Sequence, residues 1–146
     1  YGLMMGAVGI GAVAGAVLAA AYGDAGQRGR MLTWGNLGFP VALLGFSLTR
    51  SFFIALGFLV LTGIAFVWQN ALANTLIQTH VEDSVRGRVM GVYTLSFQAM
   101  MRLGGLQAGL MASWLGAPAT VALGAVVSLG YMIWAHQRYP GIRRLP

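Results

Sequence analysis

The sequence predicts an all-α integral membrane protein of five transmembrane helices. Three observations carry that prediction. Hydrophobic residues make up 58% of the chain and charged residues only 8%, for a mean hydropathy of +0.73. Soluble domains carry about 25% charged residues. The apolar residues gather into five runs, each near or above the roughly 20 residues that cross a bilayer. Between those runs an acid followed by Arg-Gly-Arg occurs twice, at Asp24-Ala25-Gly26-Gln27-Arg28-Gly29-Arg30 and at Asp83-Ser84-Val85-Arg86-Gly87-Arg88.

The first span, about residues 2–22, holds no charge at all. The second, about 31–48, contains Pro40, which removes an amide donor inside the helix and predicts a kink. The third, about 52–77, grows polar over its last turns. The fourth, about 89–115, encloses one charge, Arg102. The fifth, about 117–135, begins at Gly116-Ala117-Pro118, where proline suits a helix's first turn, and a basic tail covers 136–146. A membrane barrel is disfavoured, because no succession of ten-residue segments alternates with period two.

Arginine sets the orientation. The chain has nine arginines, no lysine and three acids, for a formal charge of +6. Arg28, Arg30, Arg86, Arg88, Arg138, Arg143 and Arg144 fall on alternate loops or the tail, Arg50 falls alone opposite, and Arg102 lies within a span. The excess of basic residues on one side predicts that both Arg-Gly-Arg loops and the C-terminus are cytoplasmic. Trp34, Trp114 and Trp134 lie near span ends, where aromatic belts form. Trp68 lies inside a span and needs a packing partner.

The same residues exclude other classes. The arginines are dispersed at span ends rather than forming the basic face that nucleic-acid binding needs. Without cysteine there is no disulfide, thiolate nucleophile or Cys-based metal site. His80 and His136 stand apart from metal-ligand companions, so no metal or other cofactor is expected. No nucleophile–base constellation or Gly-Lys-Ser/Thr phosphate loop is present, and Gly9-Ile10-Gly11 follows no strand and is no dinucleotide fingerprint. An enzyme is therefore not expected. No charged leader with a cleavage site precedes the first span. Tyr1 followed at once by apolar residues reads as the continuation of a longer chain.

Gly23-Asp24-Ala25-Gly26-Gln27-Arg28-Gly29-Arg30 resembles the signature loop of the major facilitator superfamily, which follows helix two and recurs in weaker form after helix eight. The stretch from Asn70-Ala71-Leu72-Ala73-Asn74-Thr75 to Arg86-Gly87-Arg88-Val89-Met90-Gly91-Val92-Tyr93 resembles its bacterial branch of siderophore exporters and transmembrane secretion effectors. The resemblance covers essentially the whole chain. It implies helices eight to twelve of a twelve-helix transporter in the bacterial inner membrane, partnered by N-terminal helices and the lipid bilayer. It also implies export of a small-molecule substrate by proton coupling, with the coupling carboxylate elsewhere, since no acid lies in these spans. The alternative class is a non-transporting structural or receptor-like multi-pass protein, which explains the spans but not the repeated loops. Two departures stand out: Arg102 replaces an uncharged residue usual in relatives, and Gly26-Gln27 loosens the first loop.

By that resemblance Gly23, Asp24, Arg28, Gly29 and Arg30 form a cytoplasmic latch, and Asp83, Arg86, Gly87 and Arg88 a second anchor; the competing reading is that both only fix topology. Arg102 is the sharper signal. It lies 14 residues beyond Arg88, about 21 Å at 1.5 Å per residue and so well inside a roughly 30 Å hydrocarbon core. A charge there costs at least about 2.5–3.5 kcal/mol, so it faces a cavity or partner unless it snorkels outward. Thr94, Gln98, Arg102, Gly105 and Gly109 recur at three- and four-residue spacing on one stripe. Asn70 and Asn74 recur likewise in the third span, with Gln69 beside the first and Gln78 after. They read either as substrate-cavity residues or as hydrogen-bonding glue between helices, a role assigned also to Asn36. Gly2 with Gly6, Gly11 with Gly15, and Gly105 with Gly109 match the small-xxx-small spacing of close helix contacts.

Overall fold

The computed structural model describes residues 1–22 and 28–138, with side chains for 1–21 and 33–138. Five helices follow in order: α1 (Gly2–Tyr22), α2 (Arg28–Leu48), α3 (Phe52–His80), α4 (Asp83–Leu115) and α5 (Ala117–Arg138). The described residues contain no strand. Three helices are long and apolar enough to cross a membrane: α1, α3 and α5. The fourth run, expected to span, forms a helix of 33 residues whose arginines and amides lower its hydropathy. It does not reach the same apolar criterion.

Helix α3 is the hub. It receives α1 on one side and α2 on another, α5 rests on α2, and α4 packs on α5 while barely touching α3. Without a hydrophobic force between helices in lipid, close backbone approach must supply the packing. The composition of the buried positions fits: Ala7, Ala42, Ala55, Ala65 and Ala125 are buried, with Leu59, Leu72 and Leu76 the large exceptions. On α1 the buried positions are Ala7, Gly11 and Gly15, one every four residues. A Cβ added at Gly15 would lie 2.7 Å from the Ile64 carbonyl oxygen, and one at Gly11 would collide with that of Val60. From the other side Gly63 faces the Val8 carbonyl, with Ala12 N at 3.0 Å from its virtual Cβ. The Gly11/Gly15 pair is therefore a helix–helix contact. Gly2, Gly6, Gly105 and Gly109 have open space where a Cβ would stand, so the other two pairs make no such contact here.

The α2–α3 seam uses the same device with larger partners. Gly35 accepts the Trp68 ring, Gly38 faces Ala65, and Gly45 accepts the Phe58 ring. This packing accounts for the mid-span Trp68. Its indole nitrogen is buried and finds no acceptor among the described residues. Pro40 is fully buried within α2, which remains a single helix through it.

The helices extend past the boundaries drawn from hydropathy. α2 begins at Arg28 and α4 at Asp83, so Arg86, Gly87 and Arg88 lie on the first turns of a helix rather than in a loop. An acid in the first turn favours this start by meeting the positive end of the helix dipole. Hydropathy marks where lipid begins and has no term for a helix that continues into the polar region.

Candidate functional site

The two groups of cavity candidates sit on helices joined by only Val81 and Glu82. So short a connection turns α4 back antiparallel to α3, although the two helices touch little. One ring contact relates their levels: Phe66 of α3 lies 6.4 Å from Phe97 of α4, flanked by Phe39 of α2 at 6.0 Å from Phe66 and by Tyr93 stacked at 6.3 Å on Phe97. With Phe66 level with Phe97, Asn70 falls at the depth of Tyr93 and Thr94. Arg102 stands eight residues beyond Thr94, about 12 Å farther along α4. The structure thus brings Asn70 and Thr94 to one level and keeps Arg102 apart from both.

Asn70 and Asn74 are half-buried, and each turns its amide onto its own helix. Asn70 Nδ2 donates to the Phe66 carbonyl at 2.8 Å, and Asn74 Nδ2 to the Asn70 carbonyl at 3.0 Å. Thr75 donates likewise to the Ala71 carbonyl at 2.9 Å. These bonds satisfy the donors within α3 and leave the amide oxygens to act as acceptors. Inter-helical glue is not what these amides form here.

Helix α4 differs in kind. None of its 33 residues is buried, and Thr94, Gln98 and Arg102 are exposed along one stripe. No acid stands in its span or in the apolar helices beside it. The stripe therefore offers a hydroxyl, an amide and a guanidinium on a face that the other four helices leave open. Chemically that set donates hydrogen bonds and attracts negative charge.

At the arginine-rich end of α4, Arg86 forms an ion pair with Asp83 one turn earlier. Both side chains are largely exposed, which limits such a pair to under about 1 kcal/mol. The pairing is local to one helix, not across the bundle. Arg88 is exposed, and Gly87 has open space around it. Gly23 and Asp24 lie outside the described residues, as do the side chains of Arg28 and Arg30 at the start of α2, where Gly29 also lies.

A second polar group, of which the sequence singled out only Asn36 and Gln69, lines a cavity of about 440 Å³ between α2, α3 and α5. Asn36, Gln69, Ser128 and Tyr131 border it together with Phe39, Pro40, Val127 and Met132. Asn36 hydrogen-bonds to no described residue, so the glue role expected of it is not seen among them. The recurrence of Thr120, Gly124 and Ser128 every four residues on α5 does not mark this cavity, because Thr120 and Gly124 line a separate cleft against α4 with Gln107 and Met111.

A bundle of long helices, three of them long and apolar enough to cross a membrane, is the architecture of a membrane protein. A family model described as transmembrane secretion effector matches residues 1–143. The chain belongs to that family, within the major facilitator superfamily. No curated protein and no solved structure matches it.

Proposed function

We propose that this chain is the C-terminal portion, helices eight to twelve, of a proton-coupled exporter of a small molecule in the bacterial inner membrane. Family membership supports transport, and one observation supports the arrangement: α4 buries none of its 33 residues yet carries a charged and polar stripe. A helix of that composition facing lipid would expose Arg102 to hydrocarbon at a cost of several kcal/mol. Facing a water-filled pathway completed by further helices of the same transporter, it costs little. In that arrangement the two halves rock around a midplane site. Arg102, Gln98 and Thr94 contact substrate from α4, and Asn70 and Asn74 contribute acceptors from α3.

Flux through the full-length protein in proteoliposomes tests the reading. Uptake driven by an imposed pH gradient is the expected result; no gradient-dependent flux across a broad panel of amphipathic compounds favours the structural or receptor-like alternative. Orientation is tested separately. The chain has no native cysteine, so Ser51→Cys and Ser84→Cys each introduce a single thiol into it. A membrane-impermeant maleimide applied to intact spheroplasts should label position 51 at once and position 84 only after permeabilisation. The reverse pattern would invert the topology.

The latch role proposed for Asp24, Arg28 and Arg30 predicts that Asp24→Asn slows gradient-driven flux several-fold while membrane insertion stays normal. Wild-type flux in that variant reduces the loop to a topology signal. For the second anchor, Asp83→Asn removes only a local, exposed pair and should change thermal stability by no more than about 0.5 kcal/mol.

A further inference from the structure

The α2–α3–α5 cavity is bordered by two amides, Asn36 and Gln69, and two hydroxyls, Ser128 and Tyr131. None of the four hydrogen-bonds to another described side chain or carbonyl, whereas Asn70, Asn74, Thr75 and Thr79 on α3 do. Pro40 is fully buried in the cavity wall. Lacking an N–H, it removes the donor that would serve the Asn36 backbone carbonyl four residues before it. In a membrane bundle polar groups are satisfied within the protein or by something held in a cavity, since lipid offers nothing. Threonine and asparagine side chains of α3 achieve the first; these four groups, Asn36 and Gln69 half-buried and Ser128 and Tyr131 exposed at the cavity's open side, are left to the second.

The chemistry of the occupant follows from the lining. There is no charged side chain around the cavity, so neither an anion nor a cation is matched there. Phe39, Val127, Met132 and the Tyr131 ring supply apolar and aromatic surface beside the polar groups. A volume of about 440 Å³ lies in the range of small-molecule sites. We infer that this cavity binds an uncharged amphiphile, a molecule with a compact hydroxyl-, ester- or amide-bearing head and an apolar tail. The site is distinct from the α4 stripe, where a guanidinium selects for negative charge. It lies on α2 and α5 rather than on the open face of α4, so its occupancy does not depend on the transport reading.

A monoacylglycerol with a diazirine in its tail is a suitable probe. Full-length protein in nanodiscs of zwitterionic lipid is photolysed with it, and the adducts are mapped by mass spectrometry. Adducts concentrated on Phe39, Tyr131 and Met132, and competed away by excess unlabelled monoacylglycerol, are expected. The conservative variants Ser128→Ala and Gln69→Leu should each reduce this labelling at least several-fold, and a tail-matched alkyl phosphate should label the same residues weakly. Three results overturn the inference: labelling that does not saturate, labelling spread evenly over lipid-facing residues of α1 and α5, or labelling unchanged in both variants when each elutes and melts as wild type does. If either variant misfolds, Tyr131→Phe, which keeps the ring and removes only the hydroxyl, replaces it. Flux is not part of the readout, so failure of transport and failure of this site are separable.

Discussion

Gly63→Val is expected to lower the melting temperature of the full-length protein by roughly 5–10 °C. The new Cβ would meet the Val8 carbonyl and the backbone of Gly11 and Ala12, all on the facing helix. A clash with the end of a flexible side chain is relieved by a rotamer change, but backbone gives only if α1 and α3 separate. Separation removes the contacts that hold the pair, because close packing rather than water exclusion joins helices in lipid. Overpacking costs about 1–3 kcal/mol where side chains absorb it and more where they cannot. At about 2–4 °C per kcal/mol for a chain of this size, the upper end of that range gives the expected shift. Gly11→Val should act alike, since its Cβ meets Val60 backbone from the opposite side. Gly57→Ala is the control: nothing stands within 4 Å of its Cβ, so its effect should stay within about 0.5 kcal/mol. Equal melting temperatures for Gly63→Val and Gly57→Ala would show that α1 and α3 do not meet at this crossing.

The helical class and the five elements were legible because a bilayer imposes one length scale and arginine marks its edges. Helix ends were less so. Arg86 to Arg88 looked like a loop because charge interrupts hydropathy, yet backbone hydrogen bonding continues through them from Asp83. The Gly11/Gly15 crossing was visible as a four-residue repeat, but so were Gly2/Gly6 and Gly105/Gly109, which contact nothing here. Spacing specifies that a face is smooth; it does not specify that a partner lies against it. For the site, the α4 stripe was readable because all its polar groups share one helix. The Asn36, Gln69, Ser128 and Tyr131 cavity was not, because its members come from three helices and converge only once α2 and α5 pack. Asn70 and Asn74 show the remaining gap. A four-residue period places two amides on one face and is silent on whether they turn outward or onto their own backbone.

Arg102→Gln should abolish most of the flux of an anionic substrate, by about 10- to 100-fold, with little effect on folding. The stability half of this expectation follows from placement. Arg102 is exposed and forms no ion pair with a described residue, and its neighbours Met101 and Leu103 are exposed as well. Removing its charge takes nothing from the packing of α4 on α5. It also relieves the insertion cost of about 2.5–3.5 kcal/mol that a mid-membrane arginine incurs, so expression should hold or rise. The functional half rests on the proposed contact with substrate. A hydrogen bond to a charged group contributes about 1.5–3 kcal/mol, and each 1.4 kcal/mol is tenfold. Arg102→Lys separates two versions of that contact. A guanidinium grips a carboxylate or phosphate through two parallel bonds, which an ammonium cannot copy, so lysine should restore only part of the flux. Full recovery with lysine would reduce the role to a point charge. Full flux with glutamine would remove Arg102 from the pathway altogether and leave it snorkelling toward the outer interface, a cation kept in the span for position alone.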